Sequence, residues 1–170
     1  MKLKGAEKHF WWHFRHITDS KHIPIELPGF TCIDDMDVDD EYVGMIAAKV
    51  PIVHHIYLKE TNITDVGVKF ISSFKGLKTL TLMKHVGITK ACLPDINKLI
   101  DLEYLDVWKT QIRLEDVVAL TNLNKLKELY VSANDKDDDS DRDAILEKII
   151  KAEEILPNCA IYTSPCSVLE

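Results

Sequence analysis

An apolar pattern, L-x-x-L-x-L, recurs along this chain and restricts how it can fold. Three copies, and a looser one ahead of them, are Leu77/Leu80/Leu82, Leu102/Leu105/Val107, Leu126/Leu129/Val131 and Val53/Ile56/Leu58. They begin at residues 53, 77, 102 and 126, so successive copies are 24 or 25 residues apart. A unit this short cannot bury its apolar residues alone, and neighbouring units must therefore stack on one another.

The second half of each unit has a different apolar spacing. After each L-x-x-L-x-L segment, apolar residues recur in steps of three, at Val68/Ile71/Phe74, Leu93/Ile96/Leu99 and Val117/Leu120/Leu123. Thr64 and Thr89 precede two of these segments, where a hydroxyl can accept hydrogen bonds from the free N–H groups of a helix start. Each unit is therefore predicted to be a short strand, a turn and a short helix.

Two degenerate copies extend the array at its ends. They are Ile33/Met36/Val38 and Leu156/Cys159/Ile161, at irregular offsets from the inner copies, as expected of terminal units. We predict an N-terminal capping segment at residues 1–30, about six repeat units at 31–163 and a tail at 164–170. The predicted fold is α/β, a short solenoid of horseshoe shape with parallel strands on the concave face and short helices on the convex face.

Two segments resemble a known repeat. TNITDVGVKFISSFKGLKTLTL is similar to the I-T-D-x-G-L unit of cysteine-containing leucine-rich repeats, as in F-box substrate receptors and ribonuclease-inhibitor-like proteins. EILPNCAIY resembles the closing unit of such arrays. In size, and in its aromatic segment ahead of a few irregular repeats, the chain is also similar to the ATP synthase coupling factor B family. These resemblances imply a leucine-rich repeat fold and a non-enzymatic role as a subunit or adaptor of a larger complex.

The repeat also predicts which side chains face away from the core. In a strand the residues between and beside the inward leucines point to the other face. On the first predicted strand these are Asp35, Asp37 and Asp39. Tyrosine and tryptophan are enriched in binding hot spots, and methionine adapts to irregular partners. The predicted partner-binding residues are therefore Tyr57, Lys59, Met83, Tyr104, Asp106, Trp108 and Tyr130.

Composition narrows the function further. The 170 residues have a formal net charge of −7 and a pI of about 5.5, which argues against a nucleic-acid partner. No apolar run is long enough to span a membrane, and no GxSxG, HExxH or glycine-rich phosphate loop occurs. We therefore predict a protein that is not an enzyme, has no cofactor and binds another protein.

The four cysteines indicate a compartment. Cys32, Cys92, Cys159 and Cys166 are scattered without CxxC spacing, which favours reduced thiols over a disulfide or zinc framework. A reducing, cytoplasmic location is the corresponding prediction.

The N-terminal stretch HFWWHFRHI has three interpretations: a capping helix, a metal site and a helix that lies at a membrane interface. On a helix, Phe10, Phe14 and Ile17 form an apolar stripe that can cover the exposed end of the array. A second stripe, His9/His13/His16, can instead hold a metal ion. We predict a capping helix and keep a metal-binding regulatory protein as the alternative.

An acidic run, Asp135–Asp143, is the other candidate metal site. Counted from Asp135, it offers oxygens at the first, third and fifth positions of a calcium loop. Ser140 stands where glycine is needed, and Leu146 where the bidentate glutamate is needed. We predict a solvated loop leading into a helix, DAILEKIIKAEEI, with divalent-ion binding as the alternative.

Overall fold

The computed structural model of this chain describes residues 2–134 and 142–163. Its strands are β1 Glu26–Ile33, β2 Ile52–Lys59, β3 Thr79–Met83, β4 Tyr104–Asp106, β5 Glu128–Tyr130 and β6 Ala160–Tyr162. Its helices are α1 Gly5–Arg15, α2 Asp40–Ala47, α3 Asp65–Ile71, α4 Leu93–Ile96 and α5 Arg142–Ile155, with 3₁₀ turns at Ser20–His22, Lys90–Cys92 and Leu114–Ala119. The strands form one parallel six-stranded sheet in chain order, which confirms the predicted α/β class.

The inner repeat units have the predicted register. Leu80 pairs with Leu105, and Leu105 with Leu129, so equivalent leucines lie side by side on one face of the sheet. Every residue of the four inner triplets is buried there, and the three helical triplets complete the same core. Stacking of units therefore provides the core that no unit could make alone.

The first unit differs from its prediction. β1 contributes Leu27, Phe30 and Cys32 to the core face, where they pair with Val53, Ile56 and Leu58 of β2. The predicted triplet Ile33/Met36/Val38 is wrong, because Ile33 ends the strand and both Ile33 and Met36 are exposed. The sheet therefore starts at Glu26, and β1 crosses the boundary predicted between residues 30 and 31.

The three aspartates assigned to the first strand lie beyond it. Asp35 accepts a hydrogen bond from the backbone N–H of Asp37 in the loop after β1 (3.1 Å). Asp39 caps α2, accepting from the backbone N–H of Tyr42 (2.9 Å). Their carboxylates thus stabilise a turn and a helix start, and the prediction that they lie on the sheet face is wrong.

A residue in the left-handed conformation follows each of the first four strands. Asp34, Glu60, Lys84 and Lys109 all have φ between 53° and 63°, each two residues after the last core residue of its triplet. A left-handed residue reverses the chain direction locally and so leads out of the strand toward the helical half. This shared turn independently supports Leu27/Phe30/Cys32 as the first triplet.

The predicted helix caps also join neighbouring units. Thr64 accepts from the backbone N–H of Val66, and Thr89 caps the next helical segment in the same way, as predicted. In addition, the Asp40 carboxylate accepts from the N–H and hydroxyl of Thr64 at 2.8 and 2.6 Å. Asp65 makes the same two bonds with Thr89, both at 2.7 Å. Each aspartate thus binds the residue 24 positions later, which fixes one unit on the next.

Helix α1 packs on the first unit. Phe10, Phe14 and Ile17 contact the core, as predicted for a capping helix, and Phe14 meets Phe30 of β1 edge to face (6.2 Å between ring centroids). The most buried side chain of the helix is Trp11, which is 0% exposed and was not predicted to lie in the core. No helix in the described ranges combines the length and apolar character that crossing a bilayer requires.

Candidate binding face

The second face of the sheet, called here the open face, carries the residues that alternate with the core leucines. Strand pairing aligns them in two rows across the six strands. The first row is Gly29, His55, Thr79, Tyr104, Glu128 and Ala160, and the second is Thr31, Tyr57, Thr81, Asp106, Tyr130 and Tyr162. Residues next to one another in a row lie on adjacent strands about 4.8 Å apart, and two such pairs, His55 with Thr79 and Tyr130 with Tyr162, are in direct side-chain contact.

Three tyrosines form a continuous aromatic surface near the C-terminal end of the open face. The ring centroids of Tyr104 and Tyr130 are 5.4 Å apart, and those of Tyr130 and Tyr162 are 4.7 Å apart with nearly parallel planes. Tyr130 is buried between its neighbours, whereas Tyr104 is half-buried and Tyr162 is 43% exposed. The two outer rings are therefore the accessible ones, and the buried Tyr130 ring packs against both of them.

Trp108 is off the leucine core but is not the exposed ring that the repeat pattern predicts. Its side chain is 8% exposed and lies outside the apolar core cluster. The Lys109 ammonium lies over its indole, 4.3 Å from the ring centroid, a favourable cation–π geometry. Trp108 lies in the turn after β4, which ends at Asp106, and its predicted exposure is wrong, because neighbouring residues cover the indole.

Asp106 is a buried carboxylate in the centre of the open face. Burial raises its pKa to about 6, and the backbone N–H of Trp108, which donates to its Oδ1 (2.9 Å), opposes that rise. Its charge also contributes to a raised pKa of Tyr57, after burial of the phenol. Asp106 therefore loses its proton at a higher pH than an exposed aspartate does, and its ionised form is held in an unfavourable environment.

Asp106→Asn is expected to increase the stability of the protein at pH 7. The pKa of Asp106 is higher in the folded chain than in the unfolded one, so stability falls as pH rises from about 4 to about 6. A difference of two pKa units corresponds to about 3 kcal/mol, which the amide recovers while its oxygen still accepts from Trp108. Urea unfolding measured from pH 4 to pH 8 should show a flatter profile for the variant.

The exposed Asp37 provides a control for this experiment. Asp37→Asn should change the unfolding free energy by less than about 0.5 kcal/mol at every pH. If Asp106→Asn were less stable than the wild type at pH 7, the carboxylate would instead be stabilised in its ionised form.

Four of the predicted partner-binding residues are accessible. Tyr57, Lys59, Met83 and Tyr104 are half-buried on or beside the open face, whereas Asp106, Trp108 and Tyr130 are buried. The exposed residues of this face that were not among the predicted contacts are Thr31, His55, Glu128, Ala160 and Tyr162. The alternation of side chains along each strand predicts that all of these residues lie on the open face. The sequence does not predict which of them are the most exposed.

A cleft of about 760 Å³ lies where the end of α1 meets the open face. Its lining consists of His13, Phe14, Arg15, Gly29, Phe30, Thr31, Cys32, Tyr42, His55, Ile56, Tyr57, Thr79, Thr81 and Tyr104. Gly29 is required by the close approach of β2, since a Cβ there would be 2.3 Å from the carbonyl oxygen of His55. The Arg15 guanidinium donates to the carbonyl oxygen of Gly29 (3.3 Å) and so joins the helix to the strand.

The histidine stripe does not form as predicted. His9 and His13 lie side by side on α1, with ring centroids 4.3 Å apart. His16 follows the end of the helix in a left-handed conformation, and its ring packs on Trp12 (5.1 Å). Residues 2–134 and 142–163 contain no group of three histidine, cysteine or acidic side chains placed to hold a metal ion. Most of the acidic run, residues 135–141, lies outside the described residues.

Three of the cysteines are free thiols in the described residues. Cys92 and Cys159 are buried, and Cys32 is half-buried in the cleft lining, whereas Cys166 lies outside the described residues. Burial raises the pKa of all three thiols, that of Cys159 to about 11. Such thiols are poor nucleophiles, and they serve here as apolar side chains.

The side chains of the open face suit recognition through non-covalent contacts. Aromatic rings, hydroxyls and an imidazole offer apolar area and hydrogen bonds over several adjacent strands. Comparison with known proteins adds no functional assignment. No model of a known protein family matches the chain, and no curated protein shows significant similarity to it.

Proposed function

We propose that this chain is a non-enzymatic protein-recognition module, a short leucine-rich solenoid that binds a partner protein through the open face of its sheet. The supporting observation is the set of aromatic side chains on the open face: Tyr57 on β2, and the contacting rings of Tyr104, Tyr130 and Tyr162 on the adjacent strands β4, β5 and β6. Tyrosine supplies a large contact area at a low cost in conformational entropy. We expect the module to act as a subunit or adaptor in a reducing, cytoplasmic compartment, where its thiols would remain free.

The dimensions of the open face fit this role. Six strands about 4.8 Å apart make a surface roughly 24 Å wide. A stable protein interface buries about 800 Å² on each partner, an area that the two rows and their rims can provide. Tyr104, half-buried at the centre, would be the main anchor, with Lys59 and Met83 at the edge where the strands end.

Tyr104→Ala is expected to weaken partner binding by about 2 kcal/mol or more, roughly thirtyfold, because truncating an aromatic anchor loses desolvated contact area. The tagged chain is used to capture partners from a lysate of its source organism. Affinity for the captured protein is then measured by titration of wild type and variant. Circular dichroism confirms that the variant is folded.

Phe70→Ala is the matched control, because Phe70 is an exposed aromatic residue on α3, away from the open face. It should leave the affinity unchanged. If Phe70→Ala abolished binding and Tyr104→Ala did not, the helical side would be the binding surface and the proposal would be wrong.

A further inference from the structure

We propose that the cleft between the end of α1 and the open face binds an acidic peptide segment, one that carries several carboxylates on the partner protein. This inference rests on the proposed function, since it specifies which part of a protein partner the open face would hold. The expected natural occupant is a peptide segment and not a free small carboxylate.

The charge of the lining carries the inference. The chain has 28 acidic and 21 basic residues, yet none of the fourteen residues that line the cleft is an aspartate or glutamate. Arg15 brings a permanent positive charge to it, and His13 and His55 bring imidazole rings that can form hydrogen bonds. A basic cleft on an acidic protein attracts carboxylates locally, while the rest of the surface repels acidic chains that cannot enter it.

Arg15 is placed to receive a carboxylate. Its guanidinium lies over the Phe14 ring (5.4 Å to the centroid) and donates one hydrogen bond to the carbonyl oxygen of Gly29. Within the described ranges no carboxylate pairs with it, although lysine–carboxylate ion pairs join other residues there. A guanidinium has five N–H donors, so most of its fork is available for bidentate contact with a carboxylate.

The sheet side of the cleft supplies neutral hydrogen-bonding groups. His55 is held by a hydrogen bond between its Nδ1 and the hydroxyl of Thr79 (2.8 Å), which fixes the ring on the open face. Tyr57 lies two residues after His55 on β2, and its pairing partner on β1 is the exposed Thr31. Polar groups of this kind can bind the backbone of a segment whose side chains pair with Arg15.

Some acidic residues lie near the cleft without being among its lining residues. Asp35 acts electrostatically on Tyr42 and Cys32 from the loop after β1, and Asp106 is buried on the open face beside Thr81. Glu128 on β5 is exposed and pairs with Tyr104, on the side of Tyr104 away from α1 and the first two strands. The volume of about 760 Å³ is within the range of sites that bind a ligand of several residues' size.

The test uses the full chain and a fluorescein-labelled hexaglutamate peptide, with labelled hexaglutamine as the uncharged match. Fluorescence anisotropy should show saturable one-to-one binding of hexaglutamate, at least tenfold tighter than hexaglutamine, despite the net charge of −7. Arg15→Gln should weaken hexaglutamate binding at least fivefold. Arg142→Gln, which removes an exposed arginine at the start of α5, should leave it unchanged.

Three results would overturn the inference. The first is the absence of saturable hexaglutamate binding. The second is equal hexaglutamate binding by the wild type and the folded Arg15→Gln variant. The third is displacement of the peptide by free glutamate at the same carboxylate concentration. Capture of the native partner is the independent readout. If Tyr104→Ala abolished capture while hexaglutamate did not bind, this inference would fail and the proposed function would stand.

Discussion

Replacing Trp11 with alanine is expected to lower the free energy of unfolding by about 3–5 kcal/mol, the largest effect of any single change proposed here. The indole is 0% exposed and packs edge to face against Phe10 and Phe14. Its removal would leave a cavity between α1 and the first repeat unit, because aromatic neighbours relax only partly into such a space. Urea denaturation followed by circular dichroism measures the change.

The adjacent tryptophan is a matched control. Trp12 is 47% exposed, and its ring contacts His16 beyond the end of the helix. Trp12→Ala should therefore cost less than about 1 kcal/mol. Equal effects of the two substitutions would mean that α1 does not dock through the face described above.

Leu105→Ala is the second large effect, about 2–5 kcal/mol of destabilisation. Leu105 is fully buried at the centre of the sheet, paired with Leu80 on one side and Leu129 on the other. A cavity at that position lies between units on both sides, so neither neighbour can fill it without losing its own contacts. The same denaturation experiment reports the loss, which should appear as a lower midpoint with an unchanged slope.

An exposed leucine in α5 is the control for this substitution. Leu146 is 56% exposed, and Leu146→Ala should change stability by less than about 0.5 kcal/mol. If Leu105→Ala had no effect on the unfolding midpoint, the alternation of core and open-face residues along β4 would be shifted by one residue. Trp108→Ala is also expected to lower stability, because its indole is buried.

Periodicity was sufficient to predict the inner units because their apolar positions are aliphatic and evenly spaced. It failed at the first unit, where Phe30 and Cys32 replace aliphatic residues and Pro28 interrupts the strand pattern. Proline is tolerated at that point because β1 is the edge of the sheet, where a missing N–H need not break a ladder. Ile33 and Val38 happened to offer the expected spacing a few residues later.

The sequence predicted which side chains lie on the open face of the sheet, but not how deeply each of them is buried. Alternation along a strand states which face a side chain points to. How much of it is covered depends on residues of neighbouring strands, such as Tyr162 stacked on Tyr130, which lies 32 residues earlier in the chain. Arg15 was missed for the same reason, since its role follows from where α1 docks, and a single exposed arginine carries no periodic signal.

Because the strands lie in the sheet in chain order, each unit touches only the units before and after it. Duplicating or deleting one segment of 24 or 25 residues would therefore leave the remaining contacts in place, including the bonds from each aspartate to the threonine 24 positions later. The length of the open face could thus change during evolution in steps of one strand, about 4.8 Å, with no redesign of the core. Gene duplication would then determine the area of the open face that is available to a partner. Substitutions on that face would separately determine the affinity for the partner.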